Sequence, residues 1–398
     1  MKAYVCCLFT SLTAALPSLG RADDRILPEG LQLHGFLSQG YVQTSANRWF
    51  GDSEQGSWDF REIGINASYR PARRWLVSAQ VLSRTAGDMD DGSLRLDYGL
   101  LDWGFEANAE RRLGLRLGRI KNPAGFYNET RDVAFTRPAI FLPQAVYFDR
   151  VRNLALSADG AQIYGDWSLE GANLSLRIGM GMPLINKAAE ATFMGRDWQG
   201  SLKADRPLVI TRLGYETGDR RLRLALSGIT VRMDFERGPA DPPPPLLDSG
   251  HIDLTMGILS AQYNSERWSL TGEYLLQGVN WVGTGRLPPG YNLAQGWYLQ
   301  GEWRPRDDLS LFLRYDDRIT NLDDPNGTDA EAARGIPAHN GFAHDWVLGG
   351  GWTPRSDLLV RLEYHWVDGT AWLSNEENDP RSTTRRWQMF AAQVSFRF

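Results

Sequence analysis

From Leu31 onward, apolar residues stand at every second position in stretches of about ten residues, and each stretch ends at a break. In one stretch Ile63, Ile65 and Tyr69 alternate with polar or small residues. The same alternation recurs at 113–117, 174–178, 222–226, 268–274, 297–303, 309–315 and 358–366. A helix would bring apolar residues back at every third and fourth position instead. The pattern therefore predicts an all-β chain.

The breaks between these stretches are alternately short and long. Seven short turns lie at 71–74, 109–111, 166–167, 218–220, 264–266, 305–308 and 354–357. Eight longer polar segments lie at 45–58, 84–92, 122–154, 183–206, 236–250, 280–290, 320–341 and 368–383. Seven turns and eight loops connect sixteen strands, with both termini on the short-turn side.

Strand length separates a membrane barrel from a soluble β-protein. About ten residues at roughly 3.3 Å each, tilted by about 45°, span the roughly 25 Å apolar band of an outer-membrane barrel. Soluble sandwiches and propellers use shorter strands with polar outer faces, so they fit less well. The sequence predicts a 16-stranded antiparallel transmembrane β-barrel, and a barrel of that size encloses an aqueous channel.

The first 22 residues have the features of a signal peptide. Lys2 supplies positive charge, residues 3–16 are mostly apolar, and Gly20-Arg21-Ala22 ends in small residues that suit a signal peptidase. We therefore expect a cleaved signal peptide at 1–22, a barrel domain at 23–398 and export to the bacterial outer membrane. Cys6 and Cys7 both lie in the removed segment, which leaves the mature chain without a thiol.

Composition fits a barrel with a wet interior. A mean hydropathy of −0.38 occurs together with 15 Trp, 14 Tyr and 16 Phe, as expected for a polar lumen and an apolar outer face with aromatic girdles. Six tryptophans near strand ends suit those girdles: Trp75, Trp103, Trp268, Trp303, Trp352 and Trp387. Without Lys2 and Arg21 the formal charge is 41 − 48 = −7, which opposes nucleic-acid binding.

The polar partner of each apolar stripe should face the lumen, because a cation facing lipid at the midplane costs about 2 to 4 kcal/mol. With the apolar positions facing lipid, the alternation predicts that the following charged side chains line the pore wall: Arg95, Asp97, Arg116, Arg177, Arg212, Arg223, Arg314, Arg361 and Glu363, with Glu62, Glu216, Glu273, Glu302 and Asp316. The set holds seven cations and seven anions, which predicts no strong ion preference from the wall. The alternation slips near Gly228 and Met256, which predicts a bulge.

The third long segment is rich in Phe, Ile, Leu and Tyr, so it would be poorly solvated if it stood free in medium. We expect it to fold back into the barrel. The segment starts with Gly118-Arg119 and Lys121, followed by Pro123 and Gly125. This start resembles the constriction loop of trimeric Gram-negative porins, including the phosphate-selective branch. The last strand ends at Phe398 and resembles the C-terminal assembly signal of outer-membrane proteins.

The resemblance implies a homotrimer in contact with outer-membrane lipid and lipopolysaccharide, with one pore in each barrel. It also implies that the loop charges lie at a constriction: Arg119, Lys121, Glu129, Arg131, Asp132, Arg137, Asp149 and Arg150, with Arg152 nearby. Five of the loop cations then face three loop anions, which predicts a mild anion preference. In the alternative, the same residues pair with one another and hold the loop in place.

The sequence predicts a porin for passive diffusion of small hydrophilic solutes and ions, with no enzymatic activity and no cofactor. One alternative is a substrate-selective channel for carboxylates, phosphate or sugars. A structural or adhesive barrel and an outer-membrane barrel enzyme are further alternatives. The enzyme is disfavoured because the chain lacks a G-x-S-x-G motif and its five histidines are scattered without metal-ligand spacing. Acidic clusters at 88–91 and 323–329 are either a loop cation site or solvated loop tips.

Overall fold

The computed structural model describes residues 30–286 and 290–398, so the expected signal peptide lies outside the described residues. Its strands are β1 Leu31–Thr44, β2 Ser57–Ala72, β3 Trp75–Ala86, β4 Asp91–Ala107, β5 Arg111–Lys121, β6 Ser157–Leu169, β7 Ala172–Pro183, β8 Ser201–Lys203, β9 Leu208–Thr217, β10 Leu222–Glu236, β11 Gly250–Asn264, β12 Trp268–Val282, β13 Tyr291–Arg306, β14 Leu309–Ile319, β15 Phe342–Arg355, β16 Leu358–Gly369 and β17 Arg386–Arg397. Because β8 and β9 both pair with β10, they occupy one position in the wall. The wall therefore has sixteen positions, as the sequence predicts.

The sheet closes on itself between its first and last strands. β1 pairs antiparallel with β17, with Leu37 opposite Phe396, and Gly35 and Phe398 exchange two backbone hydrogen bonds of 3.1 and 3.0 Å. A Cβ atom on Gly35 would overlap the ring of Phe398, so glycine is required where the C-terminal ring crosses the first strand. All strand pairs are antiparallel, which confirms the predicted fold class.

The outer surface carries the apolar half of the alternation. Exposed aliphatic side chains recur around it, among them Ile65, Leu213 and Leu313. At the short-turn end, Trp75 stacks on Trp103 with ring centroids 5.7 Å apart, and Trp268, Trp303 and Trp352 are also exposed. Trp387 differs from these because it is buried against Trp372, so its assignment to the aromatic girdle was wrong. The band of apolar and aromatic side chains is the surface that a lipid bilayer requires.

The long loops carry the few helices, α1 Arg152–Leu156, α2 Lys187–Met194 and α3 Thr328–Arg334, and four short 3₁₀ turns. No helix within the described ranges is long and apolar enough to cross a membrane. The third loop spans 122–156, between β5 and β6. The second predicted loop, 84–92, shortens to 87–90 because β3 and β4 continue into it.

The predicted bulge near Gly228 and Met256 is wrong. β10 pairs with β11 in unbroken register from Leu222 to Phe235. The apolar pattern changes phase there because Ile229, Val231 and Met233 face inward and are buried. They join a core cluster with residues of the third loop and α2, so this part of the interior is apolar rather than wet.

Candidate functional site

The third loop lies against the interior wall of the barrel, and Glu273 on β12 is one of its attachment points. The Glu273 carboxylate accepts hydrogen bonds from the hydroxyl of Tyr147 at 2.6 Å and the backbone N–H of Phe126 at 2.9 Å, both in the loop. It also accepts from Ser260 and Tyr298 of the wall, at 2.5 and 2.7 Å. A buried carboxylate with four donors fixes the loop relative to three strands.

A second attachment lies on β14 and β16. Glu363 accepts from the backbone N–H groups of Ile140 and Phe141, and Arg361 donates to the carbonyls of Ala134 and Arg137. In addition, the guanidinium of Arg314 donates to the Phe141 carbonyl at 3.1 Å. Arg314, Arg361 and Glu363 face the interior as predicted for the pore wall, but each is buried under the loop and binds its backbone.

Close backbone contact marks a third attachment. A Cβ atom on Gly296 of β13 would overlap the carbonyl oxygen of Ala145, so the loop backbone rests directly on the wall there. Aromatic rings cover the neighbouring region, where Phe141 packs edge-on against Trp49 and Phe50 of the first long loop, with centroids 6.1 and 5.5 Å apart. These contacts join the third loop to the long-loop end of the barrel.

On the opposite wall, the loop enters a buried network of charges. Asp149 pairs with Arg84 of β3 at 2.9 Å and with Arg131 at 3.5 Å. Glu62 of β2 pairs with Arg84 at 3.2 Å and Arg137 at 3.3 Å. The whole network consists of Arg84, Arg95, Lys121, Arg131, Arg137 and Arg152 with Glu62, Asp90, Asp97, Asp132 and Asp149.

Six cations and five carboxylates almost balance in this network. Five of the eight residues that sequence places at the constriction, Lys121, Arg131, Asp132, Arg137 and Asp149, are ion-paired within it. All but Lys121 are buried. This geometry corresponds to the alternative in which the loop charges pair with one another and with the wall.

The other three constriction residues have different surroundings. Arg119 lies on the face of β5 that carries the exposed Leu117, pointing out of the barrel, and pairs with Asp159 at 2.7 Å. Glu129 is half-buried, and its charge acts on Arg212 of β9. Arg150 is half-buried, with no ion pair in the described part of the chain.

Three further predicted wall residues, Arg95, Asp97 and Arg116, face the interior and have partners. Arg95 makes a two-pronged hydrogen bond to Asp90, at 2.6 and 2.8 Å. Asp97 accepts from Gln80 at 2.7 Å and pairs with Lys121. Arg116 pairs with Asp102 at 3.1 Å and lies over the ring of Tyr164.

A cavity of about 690 Å³ opens at the short-turn end, and we call it the short-turn cavity. Its charged lining residues are Arg70, Arg73, Arg74, Arg112, Arg116 and Asp102. Asp102 is occupied by Arg116 and by the hydroxyl of Tyr164, and Arg112 pairs with Asp166 at 3.2 Å, so the unbalanced positive charge of the lining comes from Arg70, Arg73 and Arg74. Four of these arginines were not predicted from the sequence as site residues, although Arg73 and Arg74 are adjacent in the first short turn and Arg112 borders the second.

At the other end, a cavity of about 340 Å³, here called the long-loop cavity, lies among α2 and the last two long loops, with Arg150 in its lining. The indole N–H of Trp281 on β12 donates to the Phe193 carbonyl of α2 at 2.9 Å, which holds this helix across the barrel mouth. The helix was not predicted from the sequence, because residues 187–194 lie within a long polar loop and form little more than two turns.

The carboxyl of Glu377 joins three long loops at this mouth. It accepts the backbone N–H groups of Phe50 and Gly51 at 3.1 and 2.7 Å, and of Asp88 at 3.2 Å. Burial raises the pKa of Glu377 to about 7, although these hydrogen bonds oppose the shift. A carboxyl that titrates near neutral pH therefore lies at the junction of the loops.

The acidic loop clusters have structural partners. Asp90 pairs with Arg84 and Arg95, and Asp324 accepts the backbone N–H of Ala330 in α3 at 2.9 Å. Backbone hydrogen bonds hold the pKa of Asp324 below its usual range despite the opposing effect of burial. Within residues 30–286 and 290–398, no group of three or more His, Cys, Asp or Glu side chains is arranged to hold a metal ion.

Comparison with known proteins gives matches in structure only. No protein-family model matches the sequence, and no curated protein matches it. OmpF of Salmonella typhi, solved in complex with daunomycin, aligns over 92% of this chain and 97% of its own, with TM-score 0.57 and 12% identity. The anion-selective porin from Comamonas acidovorans aligns over 92% and 99%, with TM-score 0.55 and 11% identity. The outer membrane channel DcaP of Acinetobacter baumannii aligns over 92% and 97%, with TM-score 0.55 and 10% identity. At such low identity the likeness establishes the fold alone, which is that of outer-membrane porins.

Proposed function

We propose that this protein is an outer-membrane porin that lets small hydrophilic solutes diffuse passively past the third loop, with a preference for anions. The observation that carries the proposal is a closed sixteen-position barrel with an apolar outer band, an ionic interior and an open, charged cavity at its short-turn end. The third loop contacts both sides of the interior, so the passage beside it is narrow. A narrow passage favours small solutes and low conductance.

Charge in the short-turn cavity supports the preference for anions. Its lining carries five arginines and one aspartate, and Arg70, Arg73 and Arg74 make no ion pair in the described ranges. A cleft lined by one sign of charge raises the local concentration of the opposite ion. At the loop itself, Arg150 supplies the unpaired cation, since the other loop cations of the predicted constriction are balanced by carboxylates or lie outside.

Reversal potentials across a salt gradient test this preference. The double variant Arg73→Gln with Arg74→Gln removes two charges from the short-turn cavity. A matched control, Arg306→Gln with Arg355→Gln, removes two charges from other short turns, where each arginine pairs with a neighbouring aspartate. We expect the first variant to lose most of its anion preference and the control to retain it. Equal reversal potentials in both variants, or cation preference in the unmodified protein, would contradict the proposal.

We further propose that the chain is exported by its signal peptide and assembles as a homotrimer in contact with lipopolysaccharide. Chemical crosslinking of the purified protein tests the trimer, and N-terminal sequencing of the mature protein tests cleavage after Ala22.

A substrate-selective channel for carboxylates, phosphate or sugars is the second candidate, favoured by the same arginine-lined cavity. Flux that saturates at low solute concentration would support it, whereas flux proportional to concentration supports general diffusion. A hydrolase assay on the purified barrel tests the enzyme alternative.

A further inference from the structure

Arg318 and Arg361 are buried arginines without an ion pair among the described residues, but Arg361 donates to two backbone carbonyls and Arg318 to none. Arg318 lies on β14, on the inward face that also carries Arg314 and Asp316, and its side chain is 4% exposed. Its Nη2 donates to the amide oxygen of Gln277 at 2.6 Å, while Nε and Nη1 have no hydrogen-bond partner among the described residues. No carboxylate in those ranges pairs with it, because Asp316 pairs with Arg314 instead.

Arg150 of the third loop contacts the same aromatic ring as Arg318, and it too has a guanidinium N–H without a hydrogen-bond partner among the described residues. Its Nη1 donates to the carbonyl of Leu373 at 3.3 Å, and its Nε has no described partner. The guanidinium groups of Arg150 and Arg318 approach one ring, that of Phe148, at 6.0 and 4.4 Å from its centroid. The two cations are close enough that the charge of Arg150 acts on Arg318.

A buried cation and a half-buried cation that contact the same ring are unfavourable without an anion. Arg84, Arg131 and Arg137 of the same interior each have a carboxylate partner, which compensates for their loss of hydration. Among the described residues, the hydrogen-bond acceptors of Arg150 and Arg318 are one carbonyl and one amide oxygen, and both guanidinium groups contact the aromatic ring of Phe148. Their unpaired N–H groups are donors, so they call for an acceptor with negative charge.

The long-loop cavity gives access to Arg150. Arg150 lines that cavity of about 340 Å³, whose only other charged lining residues in the described ranges are Arg334 and Asp324. Asp324 is engaged by the backbone of α3. A small anion that enters from the long-loop side therefore meets a cavity with net positive charge and Arg150 in its lining. Arg318 is not a lining residue and lies behind Arg150, in contact with the ring of Phe148.

We propose that Arg150, in the lining of the long-loop cavity, and Arg318, which contacts the same Phe148 ring behind it, form a binding site for a small oxyanion, a carboxylate or a phosphate. The planar guanidinium group binds two oxygens of one anion at once, which favours oxyanions over spherical chloride. The proposal rests on the proposed function, because the anion must be a solute that enters the barrel. It gives that function a substrate class and a first binding step.

Isothermal titration calorimetry of the full chain in detergent and chloride-free buffer tests the site, with succinate and inorganic phosphate as separate probes. We expect one saturable site per chain for at least one probe, and binding at least tenfold weaker in Arg318→Gln, in Arg150→Gln and in the double variant. Arg334→Gln is the matched control, since it removes one charge from an exposed residue of the same cavity, and it should bind within twofold of the unmodified protein. The probe that binds identifies the oxyanion.

Heat-modifiable migration in electrophoresis establishes that each variant is folded, and removal of an unpaired buried cation should not lower thermal stability. The site is refuted if the unmodified protein shows no saturable binding, or if the folded double variant binds as tightly as Arg334→Gln. Conductance recorded on the same preparations separates the two proposals. Conductance without saturable binding overturns the site and leaves passive diffusion intact, whereas absence of conductance overturns the proposed function.

Discussion

Glu273 illustrates how one buried side chain positions the third loop. Its carboxylate receives the hydroxyls of Tyr147 from the loop and Tyr298 from the wall, at 2.6 and 2.7 Å. The two bonds are chemically alike, but only the first crosses from loop to barrel. They therefore offer a pair of substitutions to compare, in which Tyr147→Phe also removes the acceptor of the backbone N–H groups of Phe126 and Tyr127.

We predict that Tyr147→Phe loosens the loop and Tyr298→Phe does not. Loss of a hydrogen bond to a charged acceptor lowers the free energy of unfolding by about 1.5 to 3 kcal/mol in either variant. Limited proteolysis within 122–156 should increase only for Tyr147→Phe, because only that variant detaches the loop. Equal cleavage of both variants would show that Glu273 does not hold the loop.

Glu377 predicts a pH dependence of the long-loop end. In the undocked loop its carboxyl should titrate near its ordinary pKa of about 4.3, whereas burial in the docked state raises the pKa to about 7. The docked state therefore retains a proton between these values that the open state releases. Docking is strongest at the low end of this window and weakens as the pH rises to about 7.

Amide hydrogen exchange of residues 49–51 at pH 5 and pH 8 measures how firmly these residues dock on Glu377. The rates are first corrected for the intrinsic effect of pH on exchange. We expect lower protection at pH 8 in the unmodified protein, where the ionised Glu377 also faces Asp88. In Glu377→Gln the side chain cannot ionise, so protection should be the same at both pH values. A pH effect that persists in the variant would assign it to another group.

Contact between the third loop and the wall depends on the absence of a side chain at Gly296, where a Cβ would overlap the Ala145 carbonyl. We predict that Gly296→Val displaces the loop, destabilises its docking by about 1 to 3 kcal/mol and raises single-channel conductance. Gly301→Val on the same strand is the control, because a Cβ there has nothing within 4 Å. Indistinguishable conductance in the two variants would mean that the loop does not limit the passage.

The strands could be read from the sequence because their signal is local. Alternation along a strand, as from Leu309 to Tyr315, indicates two environments on opposite faces of that strand. The rule fails in β10, where Val231 and Met233 face inward, because the loop core that covers them lies up to about a hundred residues away along the chain. Periodicity shows that a residue is apolar, and it cannot show whether lipid or a folded-back loop covers it.

The candidate site was only partly predictable for the same reason. Composition marks the third loop as apolar, and alternation places Arg314 and Arg361 on the inner face. It does not reveal that Arg361 binds the loop backbone at Ala134, a contact across 227 residues. Arg318 stands two residues beyond Asp316 on the same face, so the alternation could have identified it had the inward set been continued to the strand end. That it lacks an anion could not be read from the sequence.

Across the barrel, charge is unevenly distributed. The network beside the third loop is nearly neutral, whereas the short-turn cavity and the pair of Arg150 and Arg318 carry unbalanced positive charge. The mature chain nevertheless has a formal charge of −7 if residues 1–22 are removed. An acidic protein with local excesses of positive charge inside the barrel is expected to admit anions at a rate that falls as salt screens the arginines, since the Debye length is about 10 Å at 0.1 M and about 3 Å at 1 M.

Planar-bilayer recording of the purified, heat-modifiable protein, combined with swelling of liposomes that contain it, tests whether the barrel is a passage at all. We expect small, ohmic conductance steps with anion preference, and swelling with small sugars and amino acids that declines as solute size increases. A folded barrel that inserts into the bilayer yet gives neither conductance steps nor swelling would contradict the proposal that solutes pass beside the third loop.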